Sequence, residues 1–170
     1  MNFKKAALTI ALVSSVFAIN ANAAEGTAEV TLQGLITTTT CNVTANQGNS
    51  VLDVGIFKSA EFTPNVQLGN TELVVNLADC PDTESGDLII TGVTAQNRAE
   101  NDIFTSSVDG TVGFMIQDSA GNQVANFVAT PLDVEEGAAT YTFKVGMAST
   151  TVTPVAGLYS APINVTYVTK

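Results

Sequence analysis

Tyr159-Ser-Ala-Pro-Ile-Asn-Val-Thr-Tyr167 places Tyr159, Ala161, Ile163, Val165 and Tyr167 on one side, and Ser160, Pro162, Asn164 and Thr166 on the other. Successive side chains of a strand point to opposite faces, so this alternation predicts a strand with one apolar and one polar face. The same period recurs toward the N-terminus. Tyr141, Phe143, Val145 and Met147 alternate with Thr142, Lys144 and Gly146, and Val112, Phe114 and Ile116 with Gly113, Met115 and Gln117. Leu73, Val75 and Leu77 share one face of a strand that runs into Cys80; Leu52, Val54 and Ile56 share one face of a shorter strand. Leu88-Ile89-Ile90 reads as a strand buried on both faces. Gly69-Asn70, Ser85-Gly86, Asp109-Gly110 and Ala120-Gly121-Asn122 are turn formers between these runs. Many short strands at this spacing predict an all-β chain whose two sheets pack face to face as a sandwich. Phe114, Phe127, Tyr141 and Phe143 are assigned to its core.

The first residues have a different logic. Lys4 and Lys5 precede an apolar stretch from Ala6 to Ile19, and Ala21-Asn22-Ala23 supplies small residues where a signal peptidase reads. The stretch is shorter than the roughly 20 residues that cross a bilayer, so residues 1–23 are predicted to be a cleaved export signal. Residues 24–33 follow as a terminal extension, and residues 34–170 as one domain with no internal linker. In the extension Ala24, Gly26, Ala28, Val30 and Leu32 alternate without a break against Glu25, Thr27, Glu29, Thr31 and Gln33. Such a clean apolar face is unexpected at a free terminus, where chains usually fray. Its side chains grade from very small to large, which suits a tapered groove better than a flat core.

Composition narrows the function. Six Lys and Arg stand against sixteen Asp and Glu, a net charge of −10, and loss of Lys4 and Lys5 takes the mature chain to −12. That charge repels phosphate backbones and anionic headgroups, so nucleic acid is excluded as a partner. The chain has no histidine, which removes the commonest general base and metal ligand and any Ser-His-Asp or Cys-His arrangement. Glu135-Glu136 are adjacent and so cannot face one substrate from a strand. Asp79, Asp82, Glu84 and Asp87 lack the spacing of a calcium loop and read as a solvated turn. No catalytic residue, metal or cofactor is expected. Cys41 and Cys80 form an even pair in an exported chain, as in a structural disulfide, whose loop closure contributes roughly 3–4 kcal/mol. The other use of such a pair, as free or metal-binding thiols, lacks both a histidine and C-x-x-C spacing.

Taken in order, the segments Gly26–Gly34, Thr40-Cys41-Asn42-Val43, Val51–Gly55, Leu73–Cys80, Val112–Asp118 with Gly121, Tyr141-Thr142-Phe143, Ala156-Gly157 and Val165-Thr166-Tyr167 resemble the type 1-like pilin subunits assembled by the chaperone–usher pathway. The resemblance covers essentially the whole mature chain. It implies an incomplete immunoglobulin-like sandwich lacking its final strand, completed by a donor strand from another chain. A periplasmic chaperone would fill the open groove first, and the outer-membrane usher would be the site of assembly. The N-terminal extension of a neighbouring identical or related subunit would then fill it in a surface fimbrium that supports adhesion.

By the same resemblance Ala24, Gly26, Ala28, Val30 and Leu32 are the donor face, with Gly26 or Ala28 at the narrowest pocket. Cys41 and Cys80 match the family disulfide. Ile163, Val165 and Tyr167 mark the last strand, which borders the groove and presents the carboxy end to the chaperone. Two features depart from the pattern: the extension before Cys41 is short, and Tyr167 is followed by three further residues instead of one. The resemblance implies a structural subunit and no enzyme, with the repeating shaft component as the first reading. The alternative is a minor or tip-associated subunit that contacts a host receptor.

Overall fold

A computed structural model describes residues 41–170. The expected leader, the expected donor face Ala24, Gly26, Ala28, Val30 and Leu32, and the threonine run Thr37–Thr40 lie outside the described residues. Among the described residues there are seven strands: β1 Asn42–Ala45, β2 Leu68–Ala78, β3 Thr83–Gly92, β4 Val112–Gln117, β5 Ala129–Glu135, β6 Ala139–Ser149 and β7 Ile163–Thr169. They form a four-stranded sheet in the order β1-β2-β6-β4 and a three-stranded sheet in the order β5-β3-β7, with every pairing antiparallel.

The apolar faces meet between the sheets. Val75 of β2, Leu88 and Ile90 of β3, Phe143 of β6 and Tyr167 of β7 are fully buried there, together with Phe104 from the long β3–β4 connection. That connection was not legible as core, because Ile103 and Phe104 sit in no alternating run. Phe104 exchanges backbone hydrogen bonds with Phe114 at 2.8 Å, while Ile103 packs with Met115, Ala95 and Ala148 in a second, smaller core. Arg98 holds the turn of this connection through an ion pair to buried Asp102.

Three expectations change. The segment through Leu52, Val54 and Ile56 is not a strand. Leu52 and Val54 remain half-buried, but the Asp53 carboxylate accepts the Gly55 N–H at 2.9 Å and Gly55 takes φ +113°, so the alternation breaks and Ile56 turns out. Leu88 and Ile90 are buried but Ile89 is half-buried, so β3 covers the core with one face only. Gly69-Asn70 and Ser85-Gly86 lie inside strands: the first pair at an irregularity of the β2–β6 register, the second where β7 packs on β3. Asp109-Gly110 and Ala120-Gly121-Asn122 are turns, closed by the Gly110 N–H to Ser107 O and the Gly121 N–H to Asp118 O.

Cys41 and Cys80 form a disulfide with a Cα–Cα separation of 4.3 Å, joining the entry to β1 with the end of β2. It closes a loop of 39 residues in sequence separation. Serine at both positions is expected to lower stability by about 3–4 kcal/mol, read as a lower urea midpoint, with a steeper slope as the unfolded chain expands. An unchanged midpoint would show that the β1–β2 ladder alone sets this corner.

Candidate strand-acceptor groove

A sheet edge presents unpaired backbone donors and acceptors, and soluble proteins guard such edges. Three of the four edges here are guarded. The β4 edge is covered by the Phe104–Phe114 pair and by the Val124 N–H bonding to Ile116 O. The β5 edge carries Pro131, Asp133 and Glu135, a proline and two charges that resist further pairing. The β1 edge is only four residues long. The fourth edge is β7, seven residues with no proline and no charge, and among the described strands it pairs only with β3.

Beside that edge the sandwich built by the described residues is open. An elongated groove of about 1600 Å³ runs between the two sheets where the three-stranded sheet is one strand short of the other. Its floor is core: Leu73, Phe114, Ile116 and Val145. One wall is Ile163 and Val165 of β7, with the segment Pro154–Pro162 leading into it. The other is Val43 and Ala45 of β1, continued by residues 51–58. Thr71 of β2 anchors this second wall through its hydroxyl to Val54 O at 3.3 Å.

The expected last strand sits at this site, shorter than its sequence pattern. Pairing begins at Ile163, because Pro162 has no N–H to give a ladder and Tyr159 is engaged elsewhere, its hydroxyl bonding to Val155 O at 2.7 Å. Ile163 and Val165 are half-buried and line the groove, whereas Tyr167 is fully buried. The Tyr167 hydroxyl donates to Leu132 O at 3.4 Å. Gly86 lies under the ring: a Cβ there would come within 2.5 Å of both Tyr167 Cζ and the Val168 carbonyl oxygen. Sequence pattern marks Gly86 as a turn former, and only the packing of β7 reveals why a glycine is needed.

Burial pushes the Tyr167 hydroxyl above its ordinary pKa, and the carboxylates of Glu84, Asp133 and Asp87 add to the shift. The folded state therefore holds a proton that the unfolded chain releases near pH 10. The stability this contributes is fully present below that pH and is lost as pH rises through the folded value. The urea midpoint of Tyr167→Phe should accordingly fall less steeply than wild type above about pH 10. Parallel curves would place the alkaline sensitivity elsewhere.

Among the described residues, the acidic group around Cys80 included, no cluster of His, Cys, Asp and Glu could hold a metal. Asp79 instead accepts the Asn42 amide at 2.6 Å, and Asp87 pairs with Lys170 at 2.9 Å. No helix among the described residues is long and apolar enough to cross a membrane.

Among the described residues, fold and groove together define a β-sandwich that lacks a strand beside an unguarded edge. The chain belongs to the fimbrial protein family, whose sequence pattern matches residues 30–167. It has the fold of the P pilus rod subunit PapA, with a TM-score of 0.64 and 14% identity over 78% of this chain and 100% of that one. A chain from the structure of a chaperone–usher pilus, reported for its bearing on rod uncoiling, matches with a TM-score of 0.62 and 15% identity, covering 86% and 97%. Comparison with curated protein sequences returned no match. The resemblance to pilins drawn from the sequence thus meets a family match and the fold of two pilus subunits. The chain is a structural subunit of a fimbria at the cell surface and not an enzyme.

Proposed function

We propose that this chain is a subunit of a chaperone–usher fimbria that polymerises by donor-strand exchange. Residues 1–23 direct export and are removed. A periplasmic chaperone strand then occupies the groove until, at the usher, residues 24–33 of a neighbouring subunit replace it. The observation that supports this most is the β7 edge, which pairs only with β3 among the described strands, above an apolar groove, in a chain whose residues 24–33 alternate apolar and polar side chains. The donor face Ala24 to Leu32 is nine residues, about 30 Å when extended, enough to run the length of the seven-residue β7. Backbone hydrogen bonds along β7 give affinity, and Ala24, Gly26, Ala28, Val30 and Leu32 entering the groove set the register. Residues 34–170 form the acceptor domain, with Ile163, Val165 and Tyr167 on the strand that receives the donor and, before it, the chaperone.

Co-expression with candidate chaperones tests this. A 1:1 complex should convert, when the chaperone is displaced, into polymers that resist heat and detergent, because strand release requires the groove to open. A stable, soluble monomer that needs no chaperone would overturn the proposal. Within the fibre we assign the chain to the repeating shaft, since a groove that can accept a strand and a segment that can donate one are what a repeating link needs. The shaft role predicts that it dominates purified fibres. A rare copy at fibre ends would instead make it a minor subunit, placed to contact a host receptor.

A further inference from the structure

Ile56 and Leu158 are the most exposed large apolar side chains among the described residues, at 99% and 101%. Both line the groove, and each lies on backbone outside the strand ladders. Ile56 belongs to the wall that continues from β1, where the Gly55 turn lifts it out of the Leu52 and Val54 line onto the rim. Leu158 belongs to the wall that leads into β7, in a segment held by buried Pro154 and by the Tyr159 hydroxyl bond to Val155 O. Val51 and Val155, also exposed, extend the two rims. Apolar groups that pack on nothing in their own chain, on both sides of one groove, mark a surface covered by a partner.

We propose that Ile56 and Leu158 form a clasp that flanks the inserted strand and sets how slowly it leaves. This rests on the strand-donation reading above, and the occupant is the segment 24–33 of a second copy. With Ala24 to Leu32 turned to the floor, the outward face of that segment is Glu25, Thr27, Glu29, Thr31 and Gln33. The threonine methyls and the backbone between them are what an isoleucine and a leucine at the rim would cover. Among the described groove-lining residues the charged side chains are Asp53 and Lys58, and Lys58 lies two residues beyond Ile56 on the rim. It is opposite in sign to Glu25 and Glu29, which favours this segment as occupant.

The test uses fibres of the full mature chain carrying Ile56→Ser, Leu158→Ser or both, with strand release followed in detergent at stepped temperatures. Each serine should speed release roughly tenfold or more, because a side chain buried only in the joined state is lost. Ile56→Val with Leu158→Ile should stay near wild type. Val108→Ser and Val128→Ser, exposed apolar positions outside the groove, should change nothing. If the double variant forms no fibre, the single variants carry the measurement. Release at the wild-type rate from serine-variant fibres would overturn the clasp and leave strand donation standing. A wild-type chain that forms no strand-linked fibre would overturn both.

Discussion

A mature chain shortened by residues 24–33 is expected to fold and to be captured by its chaperone, yet to form no fibre of its own. The main core runs from Cys41 to Tyr167 and draws its largest buried side chains from β2, β3, β6, β7 and the β3–β4 connection. The acceptor groove would thus survive the truncation. What is lost is the donor: Val30 and Leu32 at about 1.5–3 kcal/mol each on burial, and the hydrogen bonds along β7 at about 0.5–1.5 kcal/mol each. Loss of several such terms together removes the joint rather than weakening it. A sharper form of the same expectation comes from mixing. A truncated subunit can accept a strand but donate none, so each one incorporated ends a fibre, and mean length should fall as its fraction rises. Electron microscopy of mixed assemblies reads this directly. Fibres made by the truncated protein alone, or lengths insensitive to its fraction, would sink the donor-strand mechanism.

The second large effect is expected at Gly86. Its Cβ position lies 2.5 Å from Tyr167 Cζ and 2.5 Å from the Val168 carbonyl oxygen. Rotation of the tyrosine could relieve the first clash but not the second, since Val168 O is backbone in the strand paired to β3 through Asp87↔Val168. Gly86→Val should therefore push β7 off β3, at a cost at or above the 1–3 kcal/mol usual for overpacking. Against a total stability of about 5–15 kcal/mol this is a large share. Gly86→Ala should lower the urea midpoint clearly, and Tyr167→Leu in the same chain should restore only part of the loss. Because β7 is also the proposed acceptor edge, the valine variant should fail to bind its chaperone in proportion to its unfolding. An unchanged midpoint for Gly86→Ala would mean that β3 and β7 do not approach this closely.

How legible the site was depended on the range of the interaction. Alternation placed Leu73, Val75, Leu77, Phe143, Val145 and Ile163 to Tyr167 on strands, because period 2 is a local property of the chain and one buried face imposes it. It failed at Ile56, where the sequence pattern continues but the Asp53–Gly55 turn breaks the alternation of the backbone. It also overextended β7 backward through Pro162. Phe104 and Ile103 escaped it altogether, since they are held by the neighbouring edge of β4 and not by any period of their own. Gly69 and Gly86 were read as turns because a glycine signals freedom of backbone and absence of side chain alike. The absence is what β7 requires at Gly86.

By itself the sequence indicated an all-β sandwich of the fimbrial family, and an alternating apolar and polar pattern over residues 24–33. Which edge is bare, how the two sheets leave a groove between β1 and β7, and which apolar side chains stand at its rim were decided only by tertiary structure. The reason is physical. Which face of a strand is apolar is written in neighbouring residues, whereas whether an edge has a partner depends on every other strand in the fold.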